Sequence, residues 1–295
     1  MREFHRYKKF FPLGVFVLLL LSLAGVFFLR SPVVIVTDPS FLKLYGEDRS
    51  RLKTITNSLE LFRRFVPVVV DESAGARLTG IAVEQAFRSP GAVLFPYRYM
   101  EGARLYKQNH PEVPVLVIGQ RDQKSPDQGE KSLRFVRTDM DLDLYRAGLC
   151  AAFLARGSSR VLFFNDGSLQ FQYREAFREG LRSQGVSLDA VYLDAAADYS
   201  SYTGVGCVVV AGPAVKFLEK NLKIPIILFS WADPSMTPRT VKLIFDDSPL
   251  AVAVKAMKAS SSGEILISSQ PVLFPDRIEE KNEFQKLQTL TRQVR

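Results

Sequence analysis

The sequence predicts an α/β protein with two lobes of mostly parallel β-sheet, preceded by one transmembrane helix. Short apolar runs alternate with amphipathic stretches along most of the 295 residues, which is typical of βαβ units. The alternation continues on both sides of residues 139–181, where a helix, a strand and a second helix follow each other directly. We therefore expect one lobe before residue 139 and a second lobe after it.

The N-terminal segment combines basic residues with a long apolar run. Four basic residues precede residues 10–29, which carry no charged side chain. A helix of this length, at about 1.5 Å per residue, spans the roughly 30 Å hydrocarbon core of a bilayer. The positive-inside rule then places residues 1–9 in the cytoplasm and the remaining chain in the periplasm or outside the cell. We predict an uncleaved, single-pass anchor in the inner membrane; a signal peptide cleaved near Ala24 is the alternative.

The first lobe is expected to contain five strands separated by helices. Apolar runs predict strands at residues 33–36, 66–70, 92–95, 113–118 and 133–136. Helical spacing of apolar residues predicts helices within residues 49–65, 81–87 and 100–109. Residues 119–132 are polar and contain Pro126 and Gly129, so they are expected to form a long surface loop.

The central stretch has clear start and stop signals for each element. Apolar spacing predicts a helix over residues 142–155, for which Asp139 or Asp141 is a cap, and a buried strand follows at residues 160–164. Residues 165–168 form a polar turn, and a second helix follows that ends near Gly185.

The second half of the chain continues the alternation and ends in a charged helix. Strands are expected at residues 188–193, 206–210, 224–229, 240–245 and 265–268, and helices at residues 214–221 and 249–259. Residues 276–295 form an amphipathic helix with a narrow apolar stripe of Phe284, Leu287, Leu290 and Val294. Two interpretations of this stripe stay open: it docks onto its own domain, or it pairs with a partner helix.

Composition and motifs exclude several classes of function. The net charge of +8 includes +3 from residues 1–9, and no basic cluster interleaved with aromatic residues indicates nucleic-acid binding. Two histidines and two cysteines without metal-ligand spacing argue against a metal site, and no cofactor motif is present. Cys150 and Cys207 are expected to be buried thiols, with a disulfide as the alternative. No catalytic motif indicates an enzyme.

The central stretch resembles type I periplasmic binding proteins. Residues 145–152 match a Tyr-x-Ala-Gly-x-x-Ala-Ala helix, and Phe177 and Gly180 match the second helix of the basic membrane protein family of nucleoside-binding lipoproteins. Ala176 stands where that family has the first glycine of Gly-Phe-x-x-Gly. The resemblance implies two Rossmann-like lobes joined by a hinge, with a ligand between them. These motif residues pack helices against sheets, so the resemblance concerns the fold more than the ligand.

The resemblance and the strand order together predict how the chain is divided. The predicted parts are a cytoplasmic tail at 1–9, the anchor at 10–29, an N-terminal lobe of 31–138 with about 236–275, a C-terminal lobe of 139–235, and a C-terminal helix at 276–295.

Candidate ligand-binding residues lie in the loops that follow strands, because ligands of open parallel sheets bind beyond the carboxyl ends of the strands. Their carboxylate, amide and aromatic side chains suit a neutral polar ligand such as a sugar or nucleoside. The predicted residues are Asp38, Tyr97, Tyr99, Asp139, Asn165, Asp166, Trp231 and Asp233, and the loop after residue 95 also offers Arg98. Asp38 and Asp139 have an alternative role as helix caps, and Trp231 has one as part of an interlobe core.

These observations lead to two hypotheses from different classes. The first is an anchored extracytoplasmic solute-binding protein that captures a small molecule for uptake or sensing, with an ABC-type permease or a membrane sensor as its partner. The second is a ligand-free assembly module of the same fold that acts through its C-terminal helix. Phe177 stands where sugar-binding relatives have a ligand-holding arginine, so a sugar is the less favoured ligand.

Overall fold

The computed structural model describes residues 4–119, 133–165, 171–185, 187–194, 197, 201–211, 223–229, 233–259, 264–278 and 280–294. The predicted two-lobed α/β architecture is confirmed, because these residues form two six-stranded sheets. The predicted helix at residues 214–221 and most of the predicted loop at residues 119–132 lie outside the described residues.

The first lobe is built on a fully parallel sheet. Its strands are β1 (Val33–Thr37), β2 (Phe65–Val69), β3 (Ala92–Pro96), β4 (Val115–Ile118), β5 (Arg134–Thr138) and β11 (Glu264–Ile267), in the order β11-β5-β4-β3-β1-β2. Residues 33–36 of β1 are 0% exposed, as expected for an apolar strand that helices cover on both faces.

Helices cover both faces of this sheet. They are α2 (Pro39–Tyr45), α3 (Glu47–Leu61), α4 (Ala76–Ala86), α5 (Met100–Asn109) and α8 (Pro249–Lys258). Side chains of α2 and α8 pack against Val33 and Ile35, and side chains of α4 and α5 pack against Val34 and Val36. Because side chains alternate along β1, the strand contributes residues to two separate apolar cores, one on each face of the sheet.

The second lobe repeats this arrangement with one antiparallel edge strand. Its strands are β6 (Arg160–Asn165), β7 (Asp189–Asp194), β8 (Val205–Ala211), β9 (Ile226–Phe229), β10 (Val241–Asp246) and β12 (Gln270–Leu273), in the order β12-β10-β9-β8-β6-β7. β12 pairs antiparallel with β10. The helices α6 (Met140–Leu154), α7 (Phe171–Arg182) and α9 (Lys281–Leu290) pack together on one face of the sheet.

The lobe boundaries differ from the predicted ones. The predicted return to the first lobe covered residues 236–275, but β10 and β12 belong to the sheet of the second lobe, and α8 and β11 belong to the first. Along the described strands, the chain therefore passes between the sheets three times: from β5 to α6, from β10 to α8, and from β11 to β12. Apolar periodicity identifies a strand but does not indicate which sheet accepts it.

Other differences concern short elements. The sequence predicted one helix within residues 49–65, whereas the structure has α2 and α3, separated by Gly46 with a φ of +88°. β12 was not predicted, because it is short and contains Pro271. Its position at the sheet edge accommodates a proline, which cannot donate a ladder hydrogen bond.

The two terminal helices concern the predicted membrane anchor and the predicted C-terminal apolar stripe. The helix α1 covers Phe4–Leu29, and no helix within the residues whose side chains are described is both long and apolar enough to cross a membrane. In α9, Leu287 and Leu290 are 0% exposed against the core around α6, whereas Val294 is 80% exposed. The C-terminal stripe thus docks onto its own domain through its central residues.

The two cysteines are free and buried, as expected. Burial raises the pKa of both thiols, so they behave as apolar core side chains.

The helices α6 and α7 cross with their backbones in contact, and two glycines make this possible. A Cβ atom on Gly148 would lie 2.3 Å from the carbonyl oxygen of Phe177, and one on Gly180 would lie 2.1 Å from that of Tyr145. No side chain fits at either position. The motif glycines that resemble the family pattern therefore set the distance between the two helices.

We predict that Gly180→Ala lowers the free energy of unfolding by about 3 kcal/mol or more, because the helices must separate to admit the methyl group. Gly80→Ala is the matched control: Gly80 is also helical, but a Cβ atom there has no neighbour within 4 Å. The control should raise stability by about 0.5 to 1 kcal/mol. Urea unfolding of both variants provides the measurement, and equal effects would contradict the proposed crowding.

Candidate functional site

A cavity of about 180 Å³ lies at the carboxyl edge of the first sheet. β1 lies between β2 and β3, and the chain leaves β1 and β3 in opposite directions along the sheet, which makes their carboxyl ends a topological switch point. The cavity is lined by Val36, Thr37, Asp38, Ser40, Phe41, Leu44, Pro96, Tyr97, Arg98, Ile118, Gly119, Asp247 and Pro249. Most of these residues belong to the first lobe; Asp247 comes from the passage between β10 and α8, and Pro249 is the first residue of α8.

Three hydrogen bonds hold the side chain of Asp38 in place at this cavity. It is 3% exposed, and its Oδ1 accepts the backbone N–H of Phe41 at 2.9 Å, which caps α2. Its Oδ2 accepts Arg98 Nη1 at 3.2 Å and the Tyr99 hydroxyl at 3.3 Å. Asp38 is thus both a helix cap and the counter-charge of an arginine at the cavity.

The loop after β3 places its three consecutive side chains differently. Tyr97 lines the cavity and contacts the ring of Phe135 edge-on at 5.8 Å between centroids. The side chain of Arg98 is 46% exposed and lies over the Tyr99 ring at 5.1 Å. Tyr99 is 4% exposed and does not line the cavity; burial, and then the nearby Asp38 carboxylate, raise its pKa to about 12. Tyr99 therefore positions Asp38 through its hydroxyl, from the side that faces away from the cavity.

The remaining predicted residues lie elsewhere. Asp139 caps α6 through the Leu142 N–H at 3.1 Å, and Asn165 ends β6, 4% exposed, at the equivalent switch point of the second sheet. None of Asp139, Asn165 and Asp233 lines the described cavity. Asp166 and Trp231 lie outside the described residues.

Asp233 instead lies against the first lobe. Its backbone N–H donates to the Leu44 carbonyl at 2.8 Å, and its Oδ1 accepts the Ser235 N–H at 2.9 Å. A Cβ atom on Gly46 would lie 2.2 Å from Asp233 Oδ2, so the α2–α3 corner and this loop are in direct contact.

The sequence analysis noted Arg98 in the loop after residue 95 but did not count it among the predicted binding residues, and it did not identify Ser40 or Asp247. Arg98 lies between two residues that were selected, so its loop position was a sufficient signal. Asp247 directly follows β10, and the rule of strand carboxyl ends would have identified it. Ser40 lies in the first turn of α2, a helix that the sequence analysis did not predict.

A buried ion pair joins the lobes next to this cavity. Asp246 at the end of β10 is 1% exposed and accepts Arg49 Nη2 at 2.6 Å and the Tyr45 hydroxyl at 3.2 Å. Its other oxygen accepts the Ser248 N–H at 2.9 Å. Burial raises the pKa of Asp246, and Arg49 opposes that increase. The guanidinium of Arg49 lies over the Tyr45 ring at 4.1 Å.

The described residues offer polar binding groups rather than a metal centre. No group of three or more His, Cys, Asp and Glu side chains among them is placed to hold a metal ion. The polar and aromatic lining groups are hydroxyls, one guanidinium, carboxylates and the rings of Phe41 and Tyr97, which suit hydrogen bonding and stacking to a polar molecule.

Comparisons with known proteins identify the fold. An ABC transporter system solute-binding protein from Conexibacter woesei is similar, with a TM-score of 0.58 and 12% identity, over 88% of this chain and 94% of that chain. A transcriptional activator of the comK gene from Bacillus halodurans has a TM-score of 0.59 and 12% identity, over 88% and 98%. The chain has the two-lobed α/β fold of type I periplasmic binding proteins. No protein-family model and no curated protein matches the sequence.

We predict that Arg49→Met lowers the free energy of unfolding by about 3 kcal/mol, because it leaves the buried Asp246 carboxylate without its cation. Lys258→Met is the control, since Lys258 pairs with Glu60 at 2.8 Å on the surface, where the two side chains are 57% and 49% exposed. An exposed pair contributes less than about 1 kcal/mol. Denaturant unfolding at neutral pH compares the two variants, and similar losses would contradict the role of Asp246.

Proposed function

We propose that this protein is a membrane-anchored solute-binding protein that holds a small polar ligand, nucleoside-like or sugar-like, between its lobes. The observation that carries the proposal is the cavity at the switch point of the first sheet, lined by Asp38 and Arg98. Ligands of open α/β sheets bind at this location. Because Phe177 stands where sugar-binding relatives have a ligand-holding arginine, a nucleoside is the first ligand class to test.

The cavity has the chemistry and size for such a ligand. Thr37 Oγ1 is buried and has no hydrogen-bond partner among the described residues, so a ligand hydroxyl or amide can pair with it. Arg98 offers N–H donors that remain partly exposed, and the Tyr97 ring offers a stacking surface. A volume of about 180 Å³ lies below the roughly 300 to 1,000 Å³ of pockets for drug-sized ligands, which favours a small molecule.

The membrane anchor is the second part of the proposal. Residues 15–19 of α1 are successive apolar side chains with exposures of 46% to 65%, and successive helical positions are about 100° apart, so the helix is apolar on all sides. Such a surface is unfavourable in water and favourable in lipid. The basic residues before it support a cytoplasmic N-terminus and an extracytoplasmic domain.

The hydrogen-bonding and aromatic groups that line the cavity support a binding role for the protein. The solute-binding protein of Conexibacter woesei is by its name part of an ABC transporter system, which makes an ABC-type permease the first partner to consider, with a membrane sensor as the second. An assembly role through the C-terminal helix is less favoured, because Leu287 and Leu290 are buried within the same chain.

We predict that a ligand from a panel of nucleosides, sugars and small metabolites raises the unfolding temperature. A ligand at 100 times its Kd stabilises the native state by about 2.7 kcal/mol. Arg98→Ala should remove the effect, whereas Arg77→Ala, an exposed arginine on α4, should keep it. Differential scanning fluorimetry of the full chain in detergent is the measurement. A shift of equal size in both variants would contradict the assigned cavity, and no shift with any compound would contradict the proposed ligand class.

We also predict the topology of the full chain in the membrane. A cysteine introduced as Lys43→Cys should react with a membrane-impermeant maleimide on intact cells or spheroplasts, and one introduced as Arg6→Cys should react only after lysis. Cys150 and Cys207 are buried and provide an unreactive background. Labelling of position 6 but not of position 43 in intact cells would reverse the proposed orientation, and extraction of the chain by alkaline carbonate would contradict the anchor.

A further inference from the structure

The three passages between the lobes meet at one group of polar residues, of which Asp143 and Ser269 are buried. The first passage, between β5 and α6, contains Asp139, whose N–H donates to the Ile267 carbonyl at 2.8 Å. Ile267 lies directly before Ser268 and Ser269, which form the third passage, between β11 and β12. Lys255 Nζ, on α8 after the second passage, donates to the carbonyls of Ser268 at 2.8 Å and Ser269 at 3.2 Å. The third passage is therefore held by groups from the two others.

Asp143 links the first passage to the third most directly. It lies in the first turn of α6, and its Oδ2 accepts the Ser269 N–H at 2.9 Å. Both residues are 2% exposed. Because Ser269 lies between β11 of one lobe and β12 of the other, this hydrogen bond fixes the chain where lobe movement must bend it.

The other oxygen of Asp143 is poorly satisfied. Oδ1 is buried and has no hydrogen-bond partner among the described residues. Arg146 Nη1 is 3.9 Å away, and Arg146 Nε donates to the Gln293 carbonyl at 2.8 Å. An ionised carboxylate has about four acceptor positions, so a buried carboxylate with one strong hydrogen bond is unfavourable. A neutral carboxyl group has less to lose by this burial.

We propose that Asp143 makes the hinge sensitive to protons: neutral Asp143 favours the packed arrangement of the three passages seen here, and ionised Asp143 favours an arrangement in which water reaches the carboxylate. This inference concerns how the lobes move and does not require a ligand. If the domain lies outside the cell, the pH of the surroundings controls the hinge directly.

The charges that face Asp143 support the direction of this effect. Burial raises the pKa of Asp143 to about 6; Ser269 and Arg146 oppose this increase, and Asp247 in the second passage adds to it. Lys255 on α8 also faces Asp143, and burial lowers the pKa of Lys255. A pKa above the ordinary value of 3.8 means that the packed arrangement binds the proton more tightly than a hydrated one. The stabilisation of the packed arrangement is therefore complete below about pH 4 and is lost as the pH rises through about 6.

Hydrogen exchange of the full chain in detergent tests the proposal. After correction for the intrinsic exchange rate, the protection of the Ser269 amide in the wild type should fall between pH 5 and pH 7.5. Over this range the expected fall is about tenfold, because only about one pKa unit separates pH 5 from the pKa of about 6; the full change between about 3.8 and 6, about 100-fold, is reached only when the lower pH is below about 4. Asp143→Asn should keep its protection at both pH values, because its side chain stays neutral and retains an acceptor oxygen.

Asp139→Asn is the matched control. It neutralises another carboxylate at the same passage, but that carboxylate caps α6 and does not bind Ser269. The protection of the Ser269 amide in Asp139→Asn should therefore depend on pH as it does in the wild type. Identical pH dependence in the wild type and in Asp143→Asn would overturn the proposal. If Asp143→Asn also lowers the protection of β1 and β8, the variant is generally destabilised, and the test then uses the wild type alone. In the wild type, the NMR signal of the Asp143 carboxyl carbon must titrate near pH 6, together with the protection of Ser269. A midpoint below pH 5 overturns the inference.

Discussion

The hydrogen bond from the Ser269 N–H to Asp143 is a constraint on which the relation between the lobes depends. It joins the first turn of α6 to the passage between β11 and β12, and Lys255 adds a second link from α8. The chain passes between the sheets three times, and these contacts collect all three passages at one place. The relative position of the lobes therefore depends on polar groups, including the buried Asp143 and Ser269, whose free energy depends on charge and hydration.

Parallel sheets explain why the cavity lies beside this hinge. The parallel strands of each lobe end at the same sheet edge, and β10 ends where the chain returns to the first lobe. Asp246 and Asp247 thus lie at the end of a strand and at a passage between lobes simultaneously. Asp246 binds Arg49, whereas Asp247 lines the cavity next to Asp38 and Arg98. The lining of the candidate cavity, the interlobe ion pair and the chain passage therefore share adjacent residues.

The candidate site was only partly predictable from the sequence. Asp38 and Tyr97 line the cavity, as their positions after β1 and β3 indicated, but Tyr99 packs behind Asp38. The 3₁₀ turn at Tyr97–Tyr99 decides which of these side chains faces the cavity, and no periodicity reports on a single turn. The carboxylate of Asp139 serves α6, because a helix start offers unpaired N–H groups that an aspartate accepts locally.

The sequence by itself determined the α/β class and most strand positions, because apolar periodicity acts locally. The motif glycines Gly148 and Gly180 were expected to pack helices against sheets, but they pack α6 against α7. The tertiary structure alone decided which sheet receives β10 and β12, where the three passages meet, and which side of a loop faces the cavity. Those outcomes depend on pairing between segments far apart in the chain, for example Leu243 with Leu273. Long-range pairing is chosen by the fit of whole surfaces, which no short stretch of sequence contains.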